Sequence, residues 1–276
     1  MLVGQLSRYA HANGLKTLVI DMDDQGNQTK ALARNGTAAA LPSSVTQIML
    51  DGLSGDASTP DFDIAELQTS DFDVLPSDGA LVSKVVEPSR NKVYFKGKQV
   101  ELASKAHANF AAFIEAISGR YDICLIDSPP QVDIRVLGAM SIADYILCPI
   151  QLAQESIEGM ASTLNGPRGI LKVKGHINKK LEFLGFFPNM VEGTNKQKEA
   201  LVSLGQAGIA QYILRDGSGQ IASIKRRQAF AEAQANGVFI KDLGKHNSQA
   251  RETWHNTKPV FDLILRRMQL MPEVSA

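Results

Sequence analysis

Thr17-Leu18-Val19-Ile20-Asp21-Met22-Asp23-Asp24-Gln25-Gly26-Asn27-Gln28-Thr29 is a short unbroken apolar run that stops in a polar, acid-rich loop. A continuous apolar run of this length suits a strand buried on both faces of a parallel sheet. In doubly wound sheets, ligands gather at the carboxyl ends of such strands. Asp21, Asp23 and Asp24 are therefore candidates for holding Mg2+ or orienting a nucleophilic water. Strand-end aspartates also cap turns and helices, and that ordinary role stands beside the chemical one.

A second segment repeats the pattern. Ile123-Cys124-Leu125-Ile126 is apolar and ends in Asp127-Ser128-Pro129-Pro130. Around these two strands the spacing predicts helices over 2–13, 44–50, 101–118, 133–143, 194–207, 222–235 and 258–270. Asn13-Gly14 closes the first, as both residues tolerate a left-handed cap. A helical stretch over 154–174 breaks at Gly166-Pro167. Strands are predicted over 72–75, 145–150 and 181–187, the last ending at Asn189, with a hairpin over 93–100 around Gly97 and a loop over 52–60. Strand–helix alternation at this spacing argues for an α/β fold with a doubly wound, mainly parallel sheet.

At 276 residues the chain has room for one large α/β domain or two small ones. No apolar run reaches the roughly 18 residues of a membrane span. Arg8, Tyr9, His11 and Asn13 interrupt the stretch that a signal peptide would need. Cys124 and Cys148 lie in apolar runs and read as buried free thiols, which fits a reducing, cytoplasmic setting. Net charge is zero, so bulk electrostatics announce no nucleic-acid partner. The distribution is uneven: residues 1–90 hold six Lys/Arg against twelve Asp/Glu, and residues 220–276 hold nine against five.

The stretch 17–29 resembles the second signature of ParA/MinD-type deviant Walker ATPases, an apolar strand followed by Asp-x-Asp-Pro-Gln-Gly-Asn-x-Thr. Residues 121–130 resemble that family's Walker B segment, residues 143–151 its next strand, residues 184–190 the strand whose Asn approaches adenine, and residues 224–235 a late segment with a basic start. The resemblance covers nearly the whole chain and is closest to ParA-type partition proteins. It implies a single P-loop NTPase-like ATPase domain over 1–276, ATP and Mg2+ as ligands, and ATP-dependent segregation of plasmid or chromosomal DNA. It implies that Asp23 orients the attacking water, that Asp21 sits beside it near Mg2+, and that Asp127 holds Mg2+ through water. Gln25 and Asn27 would shape a loop sensing nucleotide state, and Asn189 would contact adenine. Phosphoryl transfer needs mostly positioning and charge neutralisation, so these groups and a phosphate cradle suffice.

No G-x-x-x-x-G-K-[ST] occurs in the sequence. Residues 2–13 resemble the helix that follows that loop in the family, already under way at Met1. The first strand, the phosphate-binding loop and its lysines are absent from these residues. Either the start of the gene is called late or the gene is truncated, or the chain is a nucleotide-independent pseudo-ATPase that binds DNA or a ParB-type partner. In either case the chain as written is expected neither to bind ATP tightly nor to hydrolyse it, and to be marginally stable through exposed apolar sheet edges. Asp24 stands where the family has Pro and is expected to loosen the turn.

Lys225-Arg226-Arg227 precedes a helical segment and is the candidate DNA-binding surface; solvated helix faces give the same pattern. The resemblance also implies a homodimer, a ParB-type centromere-binding partner, non-specific DNA and a nucleoid-associated place in the cytoplasm. Of two rivals, one is a different enzyme class and the other lies within the family. Asp21-Met22-Asp23 resembles the Asp-x-Asp of haloacid-dehalogenase phosphatases, but Gln25 stands where those enzymes want Thr or Val, and residues 125–130 go unexplained. A MinD-like membrane role would use the apolar face Val260, Phe261, Ile264, Leu265 and Met268. That face is expected to pack on the sheet instead, leaving no membrane partner.

Overall fold

A computed structural model describes residues 1–33, 36–53, 66–95, 98–206 and 208–272. They fall into two compact units, Met1–Ile142 with Ala233–Phe239, and Ala143–Glu232 with Ile240–Ala276. The first unit holds α1 (Leu2–Ala12), β1 (Thr17–Asp21), α2 (Asn27–Ala33), β2 (Ala39–Ala40), α3 (Val45–Leu50), β3 (Phe72–Leu75), β4 (Lys92–Phe95), β5 (Lys98–Glu101), α4 (Leu102–Ile117), β6 (Ile123–Asp127) and α5 (Ile134–Ile142). The second holds β7 (Tyr145–Ile150), α6 (Gln154–Asn165), α7 (Ile170–His176), β8 (Glu182–Val191), α8 (Asn195–Gln206) and β9 (Ile224–Lys225). It continues through the start of α9 (Gln228–Asn236), then α10 (Ile240–Leu243) and α11 (Ser248–Arg267).

In the first unit the sheet order is β2-β3-β1-β6, every pair parallel. Why β1 reads as an unbroken apolar run is visible in its two faces. Leu18 and Ile20 point into a core with Ile48, Met49, Phe110 and Phe113, while Val19 points the other way to Leu32, Phe72 and Val74. A strand buried on both faces has no polar alternation to show. Ser44 caps α3 by accepting from the Gln47 amide, and the Gln47 side chain accepts from the Ser44 amide, a complete capping box. The β4–β5 hairpin forms in antiparallel register, Val93 opposite Val100; its Gly97 turn lies outside the described residues, as does most of the 52–60 loop.

The second unit carries β7-β8-β9, also parallel, around Met160, Leu164, Phe186, Leu204 and Ile213. Gly185 interrupts β8 at φ +132°, where a Cβ would stand 2.9 Å from the Leu214 nitrogen and the Tyr212 oxygen. Only glycine lets the neighbouring backbone approach so closely.

Four expectations are corrected. Residues 222–227 are not helical: Ile224 and Lys225 pair with β8, and α9 begins only at Gln228. β8 does not stop before Asn189 but carries it in the strand, to Val191. The last helix starts at Ser248, ten residues ahead of position 258. Asn247 caps it by accepting from the Ala250 amide, and Pro259 sits in its interior on the exposed side. An interior Pro costs about 3 kcal/mol; the buried stripe Thr257, Val260, Phe261, Ile264 and Leu265 offsets that, and this stripe is the face a bilayer would need. Cys124 is exposed and Cys148 half-buried, not buried as their apolar runs suggested.

A buried carboxylate ties β3 to the entry of β6. Asp73 is 1% exposed and accepts from the Ser70 amide and hydroxyl at 2.7 Å each and from the Tyr121 hydroxyl at 2.7 Å. Burial, with that bond to Asp73 and its charge, pushes the Tyr121 phenol well up from its ordinary value. A phenol raised in the fold contributes stability that is full below its unfolded value of about 10 and is lost as pH climbs above it. Tyr121→Phe is expected to lower stability by about 1–3 kcal/mol at neutral pH in urea unfolding. It should also shrink the alkaline loss of stability that the native chain shows.

Candidate functional site

The parallel pairing of β1 and β6 sets Asp21 directly against Asp127 at the carboxyl ends of adjacent strands. Asp21 is fully buried and its oxygens are taken up locally. Oδ2 accepts from the Thr29 amide and the Thr29 hydroxyl, both at 2.8 Å, and Oδ1 accepts from the Asp23 amide at 3.3 Å. Thr29 Oγ1 in turn accepts from the Ser77 amide at 3.1 Å, joining the loop after β3. Asp21 is therefore the post around which residues 22–29 are folded. Thr29 closes the quoted motif, yet sequence reasoning gave it no role.

Between these anchors the chain makes a tight turn. The Gly26 amide donates to the Asp23 carbonyl at 2.9 Å, and Gly26 takes φ +60°, a left-handed conformation that suits glycine. Asp23 Oδ1 accepts from the Gln25 amide at 3.0 Å, leaving Asp23 half-buried at the loop. Gln25 and Asn27 are exposed, and the Gln25 carbonyl accepts from Lys30 Nζ at 2.8 Å. Gln28, absent from the sequence-based candidates, is buried and hydrogen-bonds Asp127. Burial pushes the Asp127 carboxyl up from its ordinary range; the Met1 amine and Gln28 oppose this, and the charges of Asp21 and Asp23 add to it. A carboxyl held this way gains from a nearby cation.

Asp24 does not loosen the turn, contrary to expectation. Its carboxylate accepts from the Val82 amide at 3.0 Å and stands 3.6 Å from the Arg135 guanidinium. Arg135 is 5% exposed, grips Asp133 through two nitrogens, and donates to the Met22 carbonyl at 3.3 Å. Arg135 thus holds the chain on both sides of Asp23. Nothing in the spacing of Asp24 and Arg135 announces this, since they lie on separate segments.

Among the described residues no three His, Cys, Asp or Glu side chains converge on a cation position. A single carboxylate such as Asp127 still suits Mg2+, which keeps most of its waters. In the second unit Asn189 stands at the carboxyl end of β8, just before Met190 at φ +61°. Its Oδ1 is buried with no hydrogen-bond partner. A buried unpaired acceptor is costly, and the amino group of a purine base would satisfy it. Lys225, Arg226 and Arg227 are exposed near the same end; Arg226 pairs with Glu192 at 2.6 Å, and Arg227 stands 4.0 Å from Glu252.

Residues 2–183 match a family model described as an AAA domain. The chain is similar to protein IncC of Escherichia coli, 25% identical over 93% of this chain and 62% of IncC. It thus spans less than two thirds of that relative's length. It is 27% identical to the chromosome partitioning protein ParA of Caulobacter vibrioides, over 87% of this chain and 80% of ParA. Among solved structures, the ATP complex of Cyanothece McdA(D38A) superposes with a TM-score of 0.66 at 17% identity, covering 99% of this chain and 92% of McdA.

Arg135→Met would leave Asp24 and Asp133 facing each other without their shared cation. It is expected to cost about 2–3 kcal/mol in urea unfolding and to speed hydrogen exchange across residues 22–26. An Arg135→Met chain with unaltered exchange there would show that the loop is held by other means.

Proposed function

The chain belongs to the AAA domain family whose model its residues 2–183 match, as a ParA/MinD-type ATPase close to the partition proteins, and from that premise we propose that it serves ATP-dependent segregation of plasmid or chromosomal DNA. The observation that carries this reading is the register that seats Asp21 against Asp127, with Asp23 on a turn braced from both sides. In this reading residues 1–276 act as one ATPase domain. Asp21 fixes the loop, Asp23 orients the attacking water, and Asp127 receives Mg2+ through water. Gln25 and Asn27 lie exposed where nucleotide state would be sensed. Asn189 offers its unpaired Oδ1 to adenine. Bound ATP and Mg2+ supply the phosphoryl group and the charge that neutralises it. A homodimer that engages DNA without sequence preference, through surfaces including Lys225, Arg226 and Arg227, and a ParB-type partner that triggers release complete the cycle. The site of action is the nucleoid, in the cytoplasm. No helix among the described residues is long and apolar enough to cross a membrane. The apolar stripe of α11 is spent on the protein interior, which argues against a MinD-like anchor there.

The 276 residues hold no G-x-x-x-x-G-K-[ST], and a second reading is a nucleotide-independent relative that binds DNA or the partner protein. Both readings predict that this polypeptide alone does not hydrolyse ATP. They part when an apolar strand and a Lys-Gly-Gly-x-Gly-Gly-Lys-Thr loop are joined ahead of Met1. The ATPase reading expects that chain to turn over ATP, and Asp23→Ala in it to slow turnover by at least about 100-fold while ATP binding persists. Turnover indifferent to Asp23→Ala, or none at all, would remove the assigned role of Asp23.

A further inference from the structure

Zero net charge conceals a segregated surface in the second unit. Between Glu158 and Glu182 the sequence has no Asp or Glu, and residues 168–180 carry Arg168, Lys172, Lys174, Lys179 and Lys180. α7 packs through Ile170 and Val173, which are buried, and leaves Lys172 and His176 exposed and Lys174 half-exposed. At Gly175 a Cβ would meet nothing within 4 Å, so the outward side of α7 is open. The turn that follows is built rather than loose. Asn178 Nδ2 donates to the Ala143 carbonyl at 2.7 Å, and Asn178 Oδ1 accepts from the Lys180 amide at 3.2 Å. That fixes the backbone from which Lys179 and Lys180 project, both exposed.

Among the described residues, Lys172, Lys174, Lys179 and Lys180 have no carboxylate oxygen within 4.0 Å. The nearest acids along the chain are Glu158 and Glu182, and Glu182 starts β8 beside the turn with its amide on the Asp144 carbonyl. By contrast, Arg226 and Arg227 face Glu192 and Glu252. The two basic surfaces also lie at opposite ends of β8. The α7 turn leads into Glu182, whereas Asn189 pairs with Ile224 beside Lys225. Seven residues of strand separate them, roughly 23 Å.

We propose that α7 and the 177–180 turn form a surface for the phosphate backbone of duplex DNA, bound without sequence preference. The choice of DNA rests on the segregation reading; the choice of surface does not. Lysines are point charges that neutralise phosphates without fixing geometry. Four of them spread along a helix and its following turn match a linear polyanion better than one small phosphate, which needs convergent donors. An anionic bilayer is the rival, because Ile177 is 63% exposed within the patch. One apolar side chain is too little where an interfacial helix needs a whole apolar face.

The test is fluorescence anisotropy of the full chain with a labelled random-sequence duplex, without nucleotide, across a salt series. The combined change Lys172→Gln, Lys179→Gln and Lys180→Gln is expected to weaken binding at least about tenfold and to lower the slope of log K against log salt by about 2.5. The combined change Lys84→Gln, Lys92→Gln and Lys98→Gln removes as many charges from the first unit and should leave both unchanged. Lys179→Gln with Lys180→Gln, outside the helix, guards against misfolding and should give about two thirds of the slope change. Several results would overturn the proposal: no binding by the native chain, the α7 variant binding like the native chain, or loss confined to a variant neutralised at 225–227. Lysine-dependent sedimentation with phosphatidylserine vesicles in place of DNA binding would also overturn it. Failure of the ATPase reading is separable, as it leaves lysine-dependent DNA binding intact while Asp23→Ala has no effect on turnover.

Discussion

A buried carboxylate at the end of β1 organises the first unit. Asp21 is removed from water, and an ionised carboxylate in that position must find donors. It finds them in the amides of Asp23 and Thr29 and in the Thr29 hydroxyl, all from the loop that follows. Meeting that need curls the chain back on the strand end, starts α2 at Asn27, and brings the loop after β3 in through Ser77. The same register that places Asp21 also places Asp127 beside it. Of these two acids in line, one is satisfied by its own loop and the other is raised by burial.

Two buried arginines show different ways of keeping a charge inside. Arg135 lies between Asp24 and Asp133, so its charge is balanced by carboxylates and its position fixes the loop. Among the described residues Arg8 has no carboxylate within 4.0 Å. It donates to the carbonyls of Gly4, Ala31 and Gly237 at 2.7–2.9 Å, its Nε lacks a partner, and burial lowers its pKa to about 10. It remains charged at neutral pH and joins α1, α2 and the segment after α9 within the first unit. Carbonyl dipoles hold it in place, at a cost that a neutral side chain of that shape would not carry.

Charge along the chain follows the same division of labour. Acids stand side by side at the ends of β1 and β6, and Asp21 bends the loop that follows it. Among the described residues Lys172, Lys174, Lys179 and Lys180 stand clear of carboxylates, while Arg226 and Arg227 are partly neutralised by Glu192 and Glu252. A count of charges sums these to zero, although a surface acts through local potential rather than through the total.

The sequence by itself determined where β1, β3, β6 and β7 fall, because a short apolar run leaves a local signature; β1 and β3 are buried throughout, whereas β6 and β7 are not. The motif that links 17–29 with 121–130 was legible as well. α3 could be read from Ser44 and α4 from its phenylalanines, since capping and helical periodicity are short-range. What tertiary structure alone decided were contacts between distant segments. Ile224 and Lys225 became strand because β8 offered them partners, and α11 ran through Pro259 because its buried stripe outweighed the local penalty. Asp24 became a brace because Val82 and Arg135 lie 58 and 111 positions away in sequence but within reach in space. Thr29 acquired its role through Asp21 and Ser77 together. Propensity and periodicity act within a few residues, while register, charge pairing and burial depend on which elements the whole chain brings side by side.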